Sequence, residues 1–253
     1  MYSTTPMKTR SHPTKLSRLY TTRYSVSFAL GGAVAVLVVM MVLEEPAAIH
    51  TPPLPRLRMW ETLGAAALGA GLGVPVWLAP YTKVEESFTL QAVHDILTYG
   101  VAHGVRSYDH VQFPGAVPRS FLGPLLVAAP CAPLVALARL IGLDASDDVQ
   151  LLVRVVLAFA TWASLVAFAH AVLRPSGARS FFYMVCATQF HLVFWSTRTT
   201  PNSVAFPLVT TALAGVLGTR PRARIAGLAA LAFLACTLRL EVLGLAAPAY
   251  LWA

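Results

Sequence analysis

Charged side chains are scarce in this sequence, and that scarcity excludes a large class of proteins. Only 12% of the 253 residues are Asp, Glu, Lys or Arg, whereas soluble globular domains have about a quarter. Hydrophobic residues make up 57% of the chain, and they come in long blocks instead of at isolated core positions. The composition therefore excludes an ordinary soluble globular domain.

Cysteine and asparagine are also rare. Cys131, Cys186 and Cys236 lie inside apolar segments, at a spacing that fits neither a disulfide framework nor a metal site. We expect them to be small buried hydrophobic residues. The one asparagine, Asn202, is followed by Ser-Val, so the chain has no acceptor for N-glycosylation.

The apolar blocks predict membrane-spanning helices, because a run of about 18 or more apolar residues is long enough to cross a bilayer. Six or seven such segments are present, of which the fifth and sixth are short and could be tilted or incomplete. They are Val26–Leu43, Trp60–Ala79, Phe121–Leu143, Val149–Leu173, Phe181–Trp195, Val204–Leu217 and Ile225–Leu251. The pattern predicts an all-α, polytopic transmembrane protein.

The formal net charge of +8 invites a nucleic-acid interpretation. However, much of the positive charge lies in the first 24 residues and in Arg220, Arg222 and Arg224, next to apolar segments. Short basic flanks of this kind are typical topology signals of membrane proteins. We therefore predict a membrane lipid environment and no nucleic-acid partner.

Two parts of the chain differ in composition. Residues 1–50 combine a basic tail, disordered by composition, with the apolar segment Val26–Leu43, which could be a signal anchor, a signal peptide or an extra helix. Residues 51–253 form the predicted membrane domain. Its longest polar connection covers residues 80–120, and connections of that length are usually functional or disordered.

The first half of this connection has helical periodicity. Leu90, Val93, Leu97 and Val101 form an apolar stripe from which Gln91, Asp95 and Thr98 are excluded, and Gly100 is a natural stop. We expect an amphipathic helix at the membrane surface. The second half, YDHVQFPGAVPRSF, is predicted to be an ordered extended loop because its prolines restrict the backbone.

Adjacent Glu85 and Glu86 are the most conspicuous polar feature of a chain that has eleven acidic residues. Side chains of adjacent helical residues point in different directions, so one carboxylate could act as a general base and the other as a positioning group. A solvated loop that marks the membrane edge is the simpler explanation of the pair. The residues themselves leave both alternatives open.

Three further groups of polar residues stand near apolar segments: His94 with Asp95, the loop residues Asp109, His110 and Arg119, and Arg198 in FWSTRTTPN. None has the spacing of a two-histidine metal motif. Arg239 and Glu241 lie within the last apolar run, where charge is costly. Two residues apart on a helix, they would face different ways and each would need its own partner.

Four segments together resemble a known family: PYTKVEESFTLQAVHDILTYG, YDHVQFPGAVPRSFLGPL, STRTTPN and LRLEVL. They are similar to successive signatures of the dolichyl-phosphate-mannose-dependent mannosyltransferases of glycosyltransferase family 22, which have the GT-C fold. The first two segments are most similar to the α-1,6 branch, which adds the eighth mannose to the lipid-linked oligosaccharide of N-glycosylation. The resemblance covers residues 60–253, about half the length of family members, so we expect the N-terminal half of such an enzyme.

The resemblance implies an inverting transfer at the endoplasmic reticulum membrane. Dolichyl phosphate mannose would be the donor and a dolichyl-diphosphate-linked oligosaccharide the acceptor, with no cofactor and with the question of a divalent metal left open. The first luminal loop carries the acidic catalytic residue, so Glu85 is the preferred base and Glu86 the alternative. The remaining polar residues would line the acceptor or phosphate pocket: His94, Asp95, Tyr108, Asp109, His110, Arg119 and Arg198.

Topology gives one conflict. Simple alternation of all seven segments places the Glu85–Glu86 loop on the same side as Arg174, Arg179 and Arg220, which the positive-inside rule assigns to the cytoplasm. The resemblance requires that loop in the lumen, so either the first segment does not span or one segment is re-entrant. Two alternative functions stay open: an α-1,2-mannosyltransferase of the same superfamily, and a transporter that would use intramembrane charges such as Arg239 and Glu241.

Overall fold

The computed structural model describes residues 55–101, 104–113, 120–140 and 149–252, which belong to one compact unit of the chain, Thr51–Ala253. The predicted segment Val26–Leu43, the predicted boundary at residue 50 and the loop residue Arg119 lie outside the described residues.

Within the described ranges the secondary structure is helical, and no strand occurs there. Two 3₁₀ turns, Val105–Ser107 and Leu240–Val242, accompany the α-helices. The α-helices are α1 (Pro55–Leu78), α2 (Val84–Tyr99), α3 (Asp109–Gln112), α4 (Leu122–Leu140), α5 (Val149–Val172), α6 (Ser176–Thr188), α7 (Phe190–Trp195), α8 (Pro201–Leu217), α9 (Pro221–Thr237) and α10 (Leu243–Trp252). The all-α prediction is confirmed.

Three helices of the described part are long and apolar enough to cross a bilayer: Arg58–Leu78, Leu122–Leu140 and Val149–Val172. They coincide with the second, third and fourth apolar segments predicted from the sequence. The protein is therefore a multi-pass membrane protein.

The fifth predicted segment, Phe181–Trp195, differs from the structure. Its helix starts earlier, at Ser176, and it is interrupted at Gln189, whose backbone is extended, so that α6 and α7 are separate helices. The two together still follow α1 along its length, because Gly64 lies beside Tyr183 and Gly71 lies beside Val193. The segment is therefore interrupted, although its two helices together extend along α1.

The last predicted segment, Ile225–Leu251, is not one helix either. Helix α9 ends at Thr237, Arg239 takes an extended backbone, and the chain turns through Leu240–Val242 before α10 begins. In this turn Arg239 Nη2 lies 2.7 Å from Glu241 Oε1. The prediction that each charge needs its own partner is wrong, because it assumed a helical backbone that the chain does not have here.

Helices α1 and α5 run antiparallel, and their contacts define two ends of the helical bundle. Arg154, near the start of α5, reaches the end of α1, whereas His170, near the end of α5, lies 3.4 Å from Glu61 at the start of α1. From Glu61 to Leu78 the helix rises about 25 Å, close to the ~30 Å of a bilayer hydrocarbon core. We call the end with Glu61 the arginine end and the end with Ala79 the site end.

A clamp holds three helices together at the arginine end. Arg179 of α6 donates to both carboxylate oxygens of Glu61, at 2.6 and 2.8 Å, and to the carbonyl oxygen of Leu173 at 2.9 Å. The guanidinium thus joins the starts of α1 and α6 to the end of α5. This arrangement exploits the planar fork of arginine, which matches a carboxylate with two parallel bonds.

Helices α8 and α9 add a second antiparallel pair. A Cβ added to Gly218, which follows α8, would lie 3.7 Å from the Cβ of Ala171 at the end of α5. The turn between α8 and α9 is therefore at the arginine end. The two helices approach closely because Gly227 has no Cβ, an atom that would meet the carbonyl oxygen of Ala212 at 2.5 Å. Helix α9 then returns to the site end, where Leu238 lies beside Gly123 of α4.

These directions place the basic turns away from the acidic pair. Arg174, Arg179 and Arg220 lie at the arginine end, whereas Glu85 and Glu86 follow the end of α1 at the site end. Simple alternation of the seven segments is therefore wrong for this part of the chain. The reason is that α4 and α5 both begin at the site end, so the chain makes no net crossing between Phe121 and Val149.

Candidate functional site

Local sequence explains how the acidic pair comes to begin a helix. Helix α1 ends at Leu78, Pro80 follows, and the chain has no regular secondary structure as far as Lys83, whose backbone is extended and which precedes the first residue of α2. Glu85 and Glu86 then occupy the first turn of α2, where negative charge is favourable beside the free N–H groups of the helix. The amides of Glu86 and Ser87 both donate to the carbonyl oxygen of Lys83, at 3.0 and 3.1 Å.

The structure separates the two glutamates. Glu85 is exposed, whereas Glu86 is only 1% exposed and points into the bundle. Its Oε2 lies 3.3 Å from Arg198 Nη1, and its carbonyl oxygen accepts from Thr199 Oγ1 at 3.0 Å. Adjacent side chains on a helix diverge by about 100°, which is why burial of one carboxylate leaves the other outside.

Arg198 is itself buried, at 3% exposure. Besides Glu86, its Nη1 donates to the carbonyl oxygen of Tyr81 at 2.7 Å, and its guanidinium lies 4.5 Å from the ring of Phe194. The sequence did not predict the contact between Arg198 and Glu86. The predicted role of Arg198 at a donor phosphate stays a prediction.

Arg154 is a site residue that the sequence analysis missed. It is 1% exposed, and it donates to three main-chain carbonyl oxygens: Pro75 at 2.9 Å, Ala79 at 2.8 Å and Thr197 at 3.3 Å. The signal that could have found it was an arginine inside the apolar segment Val149–Leu173, since charge at membrane depth usually has a functional or paired role.

A second polar group lies along α2. Asp95 is 2% exposed, and its Oδ2 accepts from the backbone N–H of Asp109 at 2.9 Å, at the start of α3. His94, which is partly exposed, has its Nδ1 3.8 Å from Asp95 Oδ1. The prediction that Asp95 lies off the buried stripe of α2 is wrong, because α2 packs on the 108–113 segment as well as on α4. The prediction that Val101 belongs to the stripe is also wrong, since this residue is 61% exposed.

Tyr108 connects the end of α2 to this segment. Its hydroxyl donates to the carbonyl oxygen of Gly100 at 2.7 Å, and its ring stacks on Phe121. Burial, and after it the negative charge of Asp95, raises the pKa of the Tyr108 hydroxyl. The side chain is thereby kept as a neutral hydrogen-bond donor.

His110 and Asp109 are carried on α3. The ring of His110 lies between Phe121, at 5.3 Å, and Phe88, at 6.5 Å between centroids, whereas Asp109 is exposed. The predicted extended loop is therefore wrong for Asp109–Gln112, which form the one-turn helix α3 instead.

The structure thus brings the predicted residues together in two groups at the site end. Glu86 with Arg198 forms one, and Asp95, Tyr108, Asp109 and His110 form the other with His94 at its edge. In the ranges that the structure describes, no three His, Cys, Asp or Glu side chains come together as metal ligands. Whether the reaction uses a metal stays an open part of the prediction.

The cysteines are less uniform than expected. Cys131 and Cys186 are buried, as predicted, but Cys236 is exposed on α9. The prediction of a buried side chain is therefore wrong for Cys236.

Both groups of residues lie in a part of the chain that matches a known protein family. Residues 71–252 match the Alg9-like mannosyltransferase family, and this range contains α2, α3, the Arg154 contacts and Arg198. The chain belongs to the Alg9-like mannosyltransferase family. This membership confirms the resemblance found in the sequence motifs, and it leaves the transporter alternative without support.

Three relatives of this Alg9-like protein share one name, Dol-P-Man:Man(7)GlcNAc(2)-PP-Dol alpha-1,6-mannosyltransferase. The chain is 38% identical over 194 residues to that of Saccharomyces cerevisiae, covering 67% of this chain and 34% of the relative. It is 42% identical over 137 residues to that of Drosophila melanogaster, covering 53% of this chain and 20% of the relative. The third, from Arabidopsis thaliana, is 38% identical over 144 residues, covering 56% and 28%.

The Alg9-like chain spans between a fifth and about a third of the length of these relatives. No solved structure matches it.

Proposed function

We propose that this protein transfers mannose from dolichyl phosphate mannose to the seven-mannose dolichyl-diphosphate oligosaccharide, in α-1,6 linkage, at the endoplasmic reticulum membrane. The activity for which the relatives are named and the family membership support this substrate pair. The α-1,6 linkage is preferred over α-1,2 because the three relatives above carry the α-1,6 name at 38–42% identity.

The proposed mechanism rests on the different exposure of the two adjacent glutamates, Glu85 and Glu86. Glu86 is buried beside Arg198, whereas Glu85 is exposed on the same helical turn. Glu85 is therefore our candidate for the general base, and Glu86 for a positioning group.

The proposed step is a single in-line displacement. The Glu85 carboxylate takes the proton of the acceptor 6-hydroxyl, and that oxygen attacks C1 of the donor mannose. The bond from C1 to the phosphate oxygen breaks, and dolichyl phosphate leaves with the electron pair. Attack from the opposite face converts the β linkage of the donor into an α linkage, and a general base at the attacking oxygen suits this chemistry.

The second group, around α3, is our candidate for acceptor contact. Asp109 is exposed, and Asp95 holds the backbone that carries it. His110, next to Asp109, and His94, next to Asp95, are both partly exposed. Carboxylate and imidazole groups suit the hydroxyls of a sugar, for which they can act as acceptors and, in the case of imidazole, as donors.

Disruption of the gene tests the proposed substrate. We expect cells that lack the protein to accumulate the seven-mannose lipid-linked oligosaccharide, which mass analysis of the released glycans would detect. Re-expression of the gene should restore the eight-mannose species. An unchanged glycan profile would contradict the proposed activity, and accumulation of a species with another mannose number would favour the α-1,2 alternative.

Charge distribution supports a luminal site end. Exposed arginines at the arginine end include Arg174, Arg220 and Arg222, and short connections rich in arginine stay in the cytoplasm. If the arginine end is cytoplasmic, the site end with Glu85 lies in the lumen, on the side that the family resemblance implies. The direction of the helices supports this orientation without any assumption about residues 1–50.

Substitution of Val105→Asn tests the orientation. It creates an Asn-Arg-Ser acceptor in an exposed 3₁₀ turn of a chain that otherwise has none. We expect a slower gel mobility that glycosidase reverses, because only luminal acceptors are glycosylated. The V105N/S107A double variant, which lacks the acceptor serine, should not shift. Glycosylation of an acceptor engineered into the turn at residues 218–220 instead would contradict the luminal site.

A further inference from the structure

The connection between α1 and α2, residues 79–83, has no regular secondary structure, yet side chains hold three of its five carbonyl groups, those of Ala79, Pro80 and Tyr81. Side chains also hold the carbonyl oxygens of Pro75, near the end of α1, and of Glu86, in the first turn of α2. Their donors come from only two places, the first turns of α5 and the segment Thr197–Thr199 between α7 and α8. A loop held at so many points has little freedom to move relative to these elements.

Arg154 occupies the centre of this arrangement. Its three donors bind the end of α1, at Pro75 and Ala79, and the carbonyl oxygen of Thr197, which lies 43 residues along the chain. No carboxylate within the described residues lies within ion-pair distance of Arg154, although it is 1% exposed. Its partners are backbone oxygens, so the guanidinium fixes main-chain positions and not another side chain.

Side chains of the Thr197–Thr199 segment also bind the chain around the start of α2. From the segment that Arg154 holds, Arg198 reaches Tyr81 at 2.7 Å and Glu86 at 3.3 Å, and Thr199 reaches the carbonyl oxygen of Glu86 at 3.0 Å. The two segments are therefore joined on both sides. Glu85 lies between Tyr81 and the Glu86 carbonyl, inside the stretch that these bonds hold.

We propose that Arg154 is a positioning residue for mannose transfer, which sets the place of Glu85 by fixing the Ala79–Lys83 connection against the Thr197–Thr199 segment. This inference rests on the proposed function, since Glu85 is its base. A base must lie within about 3 Å of the hydroxyl that it deprotonates, and an error of about 1 Å can lower the rate about 100-fold. Glu85 is exposed and has no ion-pair or side-chain hydrogen-bond partner among the described residues, so it depends on the backbone beneath it for such accuracy.

Lysine cannot replace Arg154 in this role. Its single ammonium group lacks the rigid planar fork that directs separate N–H groups at carbonyl oxygens in different directions. The substitution Arg154→Lys therefore keeps the charge and most of the volume while releasing at least one of the three carbonyls. Thr199→Val is a smaller change with the same purpose. It keeps the shape of the side chain and removes only the hydrogen bond to the Glu86 carbonyl oxygen.

Arg179 offers a matched control at the arginine end of the same bundle. It is partly buried, and like Arg154 it joins separate helices and donates to carbonyl oxygens, at Leu173 and Arg174. It differs from Arg154 in its ion pair with Glu61 and in its distance from Glu85. A purely structural role of buried arginines predicts similar effects of Arg154→Lys and Arg179→Lys, whereas a positioning role predicts different ones.

The experiment compares R154K, T199V, R179K and E85Q in the full protein, purified in detergent, with dolichyl phosphate mannose and the lipid-linked acceptor. For each, the folded fraction, kcat per folded molecule and KM for the donor are measured. We expect kcat of R154K to fall about 10- to 100-fold with KM for the donor changed less than about 3-fold. T199V should lose about 3-fold in kcat, and R179K should lower the folded fraction with kcat unchanged.

Hydrogen exchange gives a readout that does not depend on activity. The amides of Glu86 and Ser87 should exchange faster in R154K, because the Lys83 carbonyl that they bind is no longer held in place. The same amides should be unaffected in R179K.

The inference is overturned if R154K matches R179K in kcat and in exchange at Glu86 and Ser87 while E85Q is inactive. Full activity of E85Q would instead overturn the assignment of the base, and the exchange result would still decide whether Arg154 holds the connection.

Discussion

Replacement of Glu85 by glutamine is expected to abolish most of the mannose transfer without unfolding the protein. The amide keeps the size of the side chain but cannot take a proton from the acceptor hydroxyl. General-base catalysis contributes about 10²- to 10⁴-fold to a rate, so we expect kcat to fall by about that factor. Because Glu85 is exposed and has no ion-pair partner among the described residues, the free energy of unfolding should hardly change.

The measurement is transfer of labelled mannose from dolichyl phosphate mannose to the lipid-linked acceptor in microsomes. Two variants serve as controls. Glu85→Asp keeps a carboxylate on a shorter side chain and should retain partial activity. Glu86→Gln should lower the amount of folded protein more than E85Q does, because it weakens the contact with Arg198. Activity of E85Q within twofold of the native protein would exclude Glu85 as the base.

Replacement of Arg198 by methionine should have the largest effect on stability. It removes the ionic partner of a carboxylate that is 99% buried and takes away the donor to the Tyr81 carbonyl. Breaking a buried pair on one side typically costs about 3–5 kcal/mol, since an uncompensated charge is left inside the protein. We expect a loss of this size in the free energy of unfolding, measured in detergent with a denaturant.

A double variant separates the two causes of that loss. In Glu86→Leu with Arg198→Met both charges are gone, and replacing a buried pair by apolar residues of similar volume is often nearly neutral. The double variant should therefore recover most of the stability that R198M loses, although it should not recover activity if the pair positions Glu85. A loss below about 1 kcal/mol for R198M alone, the range of exposed ion pairs, would contradict the burial of Glu86.

These two predictions depend on a distinction that the sequence could not make. Residue patterns identified Glu85 and Glu86 as a pair, and the resemblance preferred Glu85, but neither could tell which carboxylate is buried. The partner that decides it, Arg198, lies 112 residues further along the chain. A contact of that separation leaves no periodic signal in the sequence around Glu86.

Where backbone conformation depends on local residues, the predictions succeeded. Gly100 ends α2 with a positive φ of 71°, as its type predicted, because a residue with a Cβ is disfavoured there. Helices long and apolar enough to cross a bilayer, Arg58–Leu78 and Val149–Val172, lie at the places that the apolar runs predicted. The breaks at Gln189 and Arg239 were missed, since an apolar run carries no mark of where its helix is interrupted.

The sequence alone determined that this is an all-α, multi-pass membrane protein of a mannosyltransferase family, because long apolar runs must form helices in lipid and because its motifs are specific. It also determined which polar residues to consider. Only the tertiary structure decided which of them are inside: it buried Glu86 beside Arg198, turned Asp95 toward the backbone of Asp109, and gave Arg154 a role. Burial and pairing arise from contacts between distant segments, and the direction of a side chain follows from those contacts, which composition and periodicity do not encode.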